Sequence, residues 1–176
     1  GEETNPELVK YKQSNGIIND LKDFINDLVQ RVGFKSGFVE NHIYEYSKEE
    51  LNEMLKNRYS KLPLMARLDE MATKMSYLNY HGGRGKISTY KKLIKEALGF
   101  NDNYREIYVN FLKSDYCKIR STDSELRNIL SNKYLKYEDA LLFVYLKGLL
   151  EGFGYENNIY QIVIDEAQDY SVIQYE

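Results

Sequence analysis

Ile162-Val163-Ile164-Asp165-Glu166-Ala167-Gln168-Asp169 is the stretch whose reading decides the fold. Three β-branched residues followed at once by two acids predict a buried strand that delivers a pair of carboxylates to the mouth of a parallel sheet. At such a position one acid can hold Mg²⁺ through its hydration shell, and the next can polarise a water against a terminal phosphate. The plain alternative is a surface Asp-Glu pair after a strand, so the flanking sequence has to decide.

Upstream, Tyr137 to Glu151 reads as one helix. Its centre, Ala140-Leu141-Leu142-Phe143-Val144-Tyr145-Leu146, is apolar almost all round, which predicts cover on most sides. Gly152 and Gly154 break it, Glu156-Asn157-Asn158 makes a polar turn, and the strand begins near Ile159. Helix, turn, buried strand and acidic tip form the αβ portion of an α/β core. A nucleotide site also needs a Gly-rich loop with a Lys and a Ser or Thr. The nearest candidate, Gly82-Gly83-Arg84-Gly85-Lys86-Ile87-Ser88, has Tyr80 where the first Gly belongs and Ile87 where the Mg²⁺-binding hydroxyl belongs. No strand-like run precedes it. It reads as a basic interhelical loop, and the chain as a piece of a larger ATPase; an opening Gly rather than Met suits that reading.

The remaining sequence is helical in pattern. Pro6 and Pro63 sit where helices can begin. Apolar residues from Ile17 to Val32 recur at three- and four-residue steps, with Gly33 as a stop. Phe38 to Tyr46 alternates weakly, as one short strand or an extended connection. Ser47-Lys48-Glu49-Glu50 is a capping box opening a helix to about Tyr59, and Thr122 with Glu125 forms another. Helices are expected from Pro63 to about Tyr80, from about Ser88 to Leu98, and after a cap at Asn101 or Asp102. The fold class is therefore mainly α: a multi-helix region over residues 1–135, followed over 136–176 by a helix and one strand of an incomplete P-loop core. A lone strand of the parallel type does not stay paired without its sheet.

Composition narrows the function. The net charge of −3 argues against a dedicated nucleic-acid-binding module, which is usually basic. The single cysteine, Cys117, can form no internal disulfide and suits a reducing cytoplasm. His42 and His81 are too far apart in sequence, and too few, to suggest structural zinc. No apolar run approaches the roughly 20 residues of a membrane span, so no membrane partner is expected. With 17 tyrosines and no tryptophan, Tyr at helical spacing is expected at core edges more often than as a base-stacking platform.

Asp165-Glu166-Ala167-Gln168-Asp169 resembles motif II of the UvrD/Rep-like superfamily 1 helicases, where Asp-Glu-x-Gln-Asp is characteristic. Together with Tyr137-Glu138-Asp139-Ala140-Leu141-Leu142-Phe143-Val144-Tyr145-Leu146-Lys147 and Tyr170-Ser171, it is similar to the HelD-type, RNA polymerase-associated branch. The resemblance is specific over about 40 residues. It implies that Asp165 coordinates Mg²⁺, that Glu166 is the general base, that Gln168 senses the terminal phosphate, and that Asp169 supports the motif. ATP and Mg²⁺ are then cofactors of the complete motor, and DNA or RNA polymerase its partners. The phosphate loop, arginine finger and later motifs do not occur in this sequence, so neither cofactor is expected to bind the isolated chain. Residues before Tyr137 would fall in an insertion of the first motor lobe, an interaction or nucleic-acid-contacting region. The basic cluster Arg84, Lys86, Lys91, Lys92 and Lys95, with Tyr90 among them, can meet phosphates there. A solvated helix face explains the same residues. Two readings follow: part of an ATP-dependent translocase, or a helical interaction module with no activity of its own.

Overall fold

The structure, a computed structural model, describes residues 5–40, 44–78 and 86–154. Among them it is mainly helical, and the chain divides into two compact units. The first holds the described parts of Gly1–Asp27 and Asp102–Glu176; the second is built from Leu28–Asn101. The acidic-motif strand lies outside the described residues.

In the first unit, α1 (Pro6–Lys12) starts at a proline and is capped by Asn5, whose side chain accepts from the Glu7 amide. The helix α2 (Asn15–Arg31) buries Ile17, Ile18, Leu21, Phe24 and Ile25, the stripe expected from its apolar spacing. Its last residues, from Leu28, belong to the second unit. The helix α6 (Tyr104–Lys113) is capped by Asn103, not by Asn101 or Asp102: the Asn103 side chain accepts from the Glu106 amide. All three residues are competent caps, and sequence type alone does not rank them. Thr122 caps α7 (Asp123–Ser131), its Oγ1 accepting from the Glu125 amide at 3.2 Å, which is the N-cap half of the expected box. Finally α8 (Tyr137–Glu151) spans the expected residues and stops at Gly152, whose φ is 109°.

The core of this unit is formed where α6 and α8 pack on each other and on α1 and α7. Leu142, Leu146 and Leu150 of α8 are buried, as are Ile107, Phe111 and Leu112 of α6. Phe24 lies 5.5 Å from Phe111 between ring centroids and 6.0 Å from Tyr116. Cover on α8 is one-sided among the described residues. Leu141, Phe143 and Val144 are only partly buried, and Tyr137 is 60% exposed. Because α8 shares this unit with α1 and α6, the sequence boundary at residue 136 does not coincide with a break between compact units.

In the second unit, Phe38–Tyr46 forms two strands rather than one. β1 (Phe38–Glu40) pairs antiparallel with β2 (Tyr44–Tyr46), Phe38 opposite Tyr46. Their rings are 5.4 Å apart, a cross-strand aromatic pair of the kind that stabilises short ladders. Gly37 is required by this approach, since a Cβ there would sit 1.9 Å from the Tyr46 carbonyl oxygen. Ser47 caps α3 (Lys48–Glu53), which widens into a π-helical turn over Met54–Arg58. Then α4 (Leu64–Leu78) and α5 (Lys86–Leu98) pack as a pair through Leu68, Met71, Met75, Tyr90 and Ile94, all essentially inaccessible to solvent.

Candidate functional site

Three arginines of the described residues, Arg67, Arg105 and Arg120, donate to backbone carbonyls. Arg67 of α4 donates Nε to Leu62 O at 2.7 Å, Nη2 to Ser60 O at 2.7 Å and Nη1 to Leu55 O at 3.2 Å. This ties down the carbonyls around the π-helical turn, and burial pulls the pKa of the guanidinium below its ordinary value. Arg105 of α6 does the same for the C-terminus of α7, donating Nη1 to Ile129 O at 3.0 Å and to Asn132 O, and Nη2 to Lys133 O at 3.0 Å. Arg120 reaches the end of α6 through Lys113 O and through Ser114 O at 3.0 Å. A helix leaves its last carbonyls without intrahelical donors, and a planar five-donor fork serves several at once.

Among the described residues, the most enclosed polar group is a triad within the first unit. Asp139 of α8 is 2% exposed and Lys12 of α1 is 5% exposed. Lys12 Nζ lies 2.8 Å from Asp139 Oδ1, and the buried Tyr108 of α6 donates its hydroxyl to the same oxygen at 2.5 Å. Burial, then the Asp139 charge, holds the Tyr108 phenol well above its ordinary pKa, so the ring stays neutral and remains a donor. Nearby, Tyr11 donates to Asp20 Oδ2 at 2.7 Å and accepts from the Lys118 amide at 2.8 Å. Burial likewise raises the Tyr11 phenol and the Cys117 thiol. A neutral phenol and a raised thiol are weak nucleophiles at neutral pH. The chemistry of this cluster is that of a structural hub joining α1, α6 and α8.

The residues singled out from sequence are distributed differently. Asp165, Glu166, Gln168, Asp169 and Arg84 lie outside the described residues, as do His42 and His81. Lys86 is the first residue of α5. Lys91 pairs with Asp69 of α4 at 2.6 Å, both partly exposed, while Lys92 and Lys95 are exposed on α5. Tyr90, grouped with these lysines in sequence, is completely buried and offers no ring for stacking. Tyr90 and Ile94, four residues apart, lie together on the buried face of α5. Among the described residues, no group of three His, Cys, Asp or Glu is placed to hold a metal ion, and no helix is long and apolar enough to cross a membrane.

Sequence reading missed Asp139 and the three arginines. One signal was present for the first: an acid in the first turn of a helix otherwise apolar all round asks for a buried partner. For the arginines no local signal exists, because their acceptors are backbone carbonyls 5 to 28 residues away. No protein-family model, curated protein or solved structure matches this chain.

Proposed function

We propose that this chain is part of an ATP-dependent superfamily 1 helicase or translocase, of the HelD-like type, and contributes the acidic motif that serves Mg²⁺ and water. Asp165 is the Mg²⁺-coordinating acid, Glu166 the general base, Gln168 the phosphate sensor and Asp169 its support. What supports the reading is the Asp-Glu-Ala-Gln-Asp run directly after Ile162-Val163-Ile164, preceded by a helix that ends at Gly152. The test is Mg²⁺-dependent ATP hydrolysis by the full-length protein that contains this sequence. Glu166→Gln is expected to lower turnover by about 10²–10⁴-fold, the range of a lost general base, while nucleotide still binds. Turnover at the wild-type rate in that variant would reject the assignment. The 176-residue chain alone is expected to hydrolyse no ATP, since the phosphate loop is not within it.

The second reading, a helical module contacting RNA polymerase or nucleic acid with no activity of its own, has an observation of its own. The donors of Arg67, Arg105 and Arg120 are taken up by backbone carbonyls and the Tyr90 ring by the core, so these residues offer fewer directed contacts to phosphates and bases than composition suggests. That favours protein contact over nucleic-acid contact for the described residues. Capture of core RNA polymerase by the chain, with no salt-sensitive shift of DNA or RNA, is the expected result; the reverse pattern rejects it.

A further inference from the structure

Between Leu126 and Tyr137, where α7 turns into α8, the chain holds three cations, Arg127, Lys133 and Lys136, and no acid, although its net charge is −3. All three cations are exposed, and none has an ion-pair partner among the described residues. The acids that bracket the stretch, Glu125 and Glu138, are half-buried and line a cavity beside Lys12. Large apolar side chains gather at the same corner. Of the seven that are exposed among the described residues, three are here: Leu130 at 47%, Tyr134 at 78% and Tyr137 at 60%. Arg105 holds the turn in one shape, because its guanidinium takes the carbonyls of Ile129, Asn132 and Lys133 together. A contact surface fixed beforehand loses little freedom when it is covered.

Exposed apolar side chains gathered in one place mark contact sites, and cations without counterparts ask for carboxylates. Two tyrosine rings this exposed offer on the order of 200–350 Å², well short of the roughly 800 Å² per partner of a stable folded interface. The size suits a short segment rather than a second copy of the chain. Lys133 Nζ stands 5.4 Å from the centre of the Tyr134 ring, so one face of that ring meets a cation instead of lying open to a base. We propose that the α7–α8 corner docks a short acidic segment of a partner protein. Its apolar side chains lie against Leu130, Tyr134 and Tyr137, and its carboxylates meet Arg127, Lys133 and Lys136. Such docking is independent of the acidic motif and of ATP, and a chain that captures no polymerase can still show it.

The experiment titrates the isotope-labelled chain with the synthetic peptide Glu-Asp-Phe-Asp-Glu-Leu-Asp-Glu and follows amide chemical shifts. Shifts are expected at Leu130, Tyr134 and Tyr137, and binding is expected to weaken with salt. A peptide with Ser for Phe and Leu is expected to bind at least about tenfold more weakly, for want of apolar anchors. One with Lys for every acid is expected to be silent. Tyr134→Ser with Tyr137→Ser is expected to weaken the first peptide at least about tenfold. Lys133→Gln with Lys136→Gln is expected to weaken it about fivefold, the loss of two exposed charge pairs. Absence of shifts at the corner, or equal binding of the Ser or Lys peptide, overturns the proposal. So does tighter binding of oligothymidine at the same amides, which assigns nucleic acid. The same shifts on raising the chain's own concentration assign a second copy and overturn it too. These comparisons use the unaltered chain, so they hold even if a variant folds poorly.

Discussion

Asp139 carries two donors on one carboxylate oxygen, and the consequence is measurable at the level of single residues. Removing one member of a buried ion pair leaves the other charge without compensation, which costs more than replacing both. Lys12→Met is therefore expected to destabilise the chain by about 3 kcal/mol in urea unfolding, at the low end of such losses because Tyr108 still donates to Asp139. Lys12→Met combined with Asp139→Leu is expected to recover most of that loss. A double variant as unstable as the single one would show that the pair contributes packing rather than charge balance. Asn52 is a second single-residue device: its Oδ1 accepts from the Phe34 amide at 2.7 Å and its Nδ2 donates to the Phe34 carbonyl at 2.9 Å. One side chain thus satisfies both backbone groups of a residue that has left α2, a role a strand would otherwise fill.

At the scale of elements, helix ends decide more than helix interiors. The start signals are local, and Asn5, Ser47 and Thr122 cap the helices that follow them. The ends of α6 and α7 are instead closed by Arg120 and Arg105 from elsewhere in the chain. Arg105→Lys keeps the charge but replaces a five-donor fork by a point ammonium. It is expected to cost about 1–2 kcal/mol, the loss of one or two charged hydrogen bonds, and to raise amide exchange in the last turn of α7. Unchanged exchange there would remove the capping role. In α8, Gly148 faces the Phe153 ring so closely that a Cβ would lie 2.1 Å from its Cε1. Gly148→Ala must displace a ring that also packs on Tyr145 at 5.4 Å. Its cost is expected at about 1–3 kcal/mol, despite alanine's better helix propensity, and thermal melts of the variant check the sign.

For the molecule as a whole, three tyrosines of the described residues share one electrostatic property. Tyr108, Tyr11 and Tyr104 all have phenols raised above the ordinary value of about 10, in each case by burial first; Asp139 and Glu151 raise Tyr108 and Tyr104 further, while at Tyr11 the Lys118 amide opposes the rise and Asp20 adds to it. A raised folded-state pKa means that the folded chain holds its phenolic protons more tightly than the unfolded one. Their contribution to stability is complete below about pH 10 and is lost as pH rises above it. Stability is expected to fall between about pH 10 and 11.5, with part of the tyrosinate absorbance appearing only as the chain unfolds. Tyr108→Phe is expected to flatten that slope, and a slope identical to that of the unaltered chain would place the titrating groups elsewhere.

The sequence by itself determined most of the helices: their apolar spacing, the caps at Ser47 and Thr122 and the interval Tyr137–Glu151 are local properties, because helix periodicity and capping act over three or four residues. The choice of Asn103 as the α6 cap was not legible in it. It also presented the acidic run Asp165-Glu166-Ala167-Gln168-Asp169, whose chemistry is carried by residue order. Only the tertiary structure decided that Tyr90 is core, that α8 is covered on one side among the described residues, and that Phe38–Glu40 and Tyr44–Tyr46 pair as two antiparallel strands rather than forming one strand or an extended connection. It alone brought Lys12, Tyr108 and Asp139 onto one oxygen and set Arg67, Arg105 and Arg120 against backbone carbonyls. Those partners lie up to 127 residues apart, and a buried charge is stable only where folding delivers its counterpart, a condition no local pattern can encode.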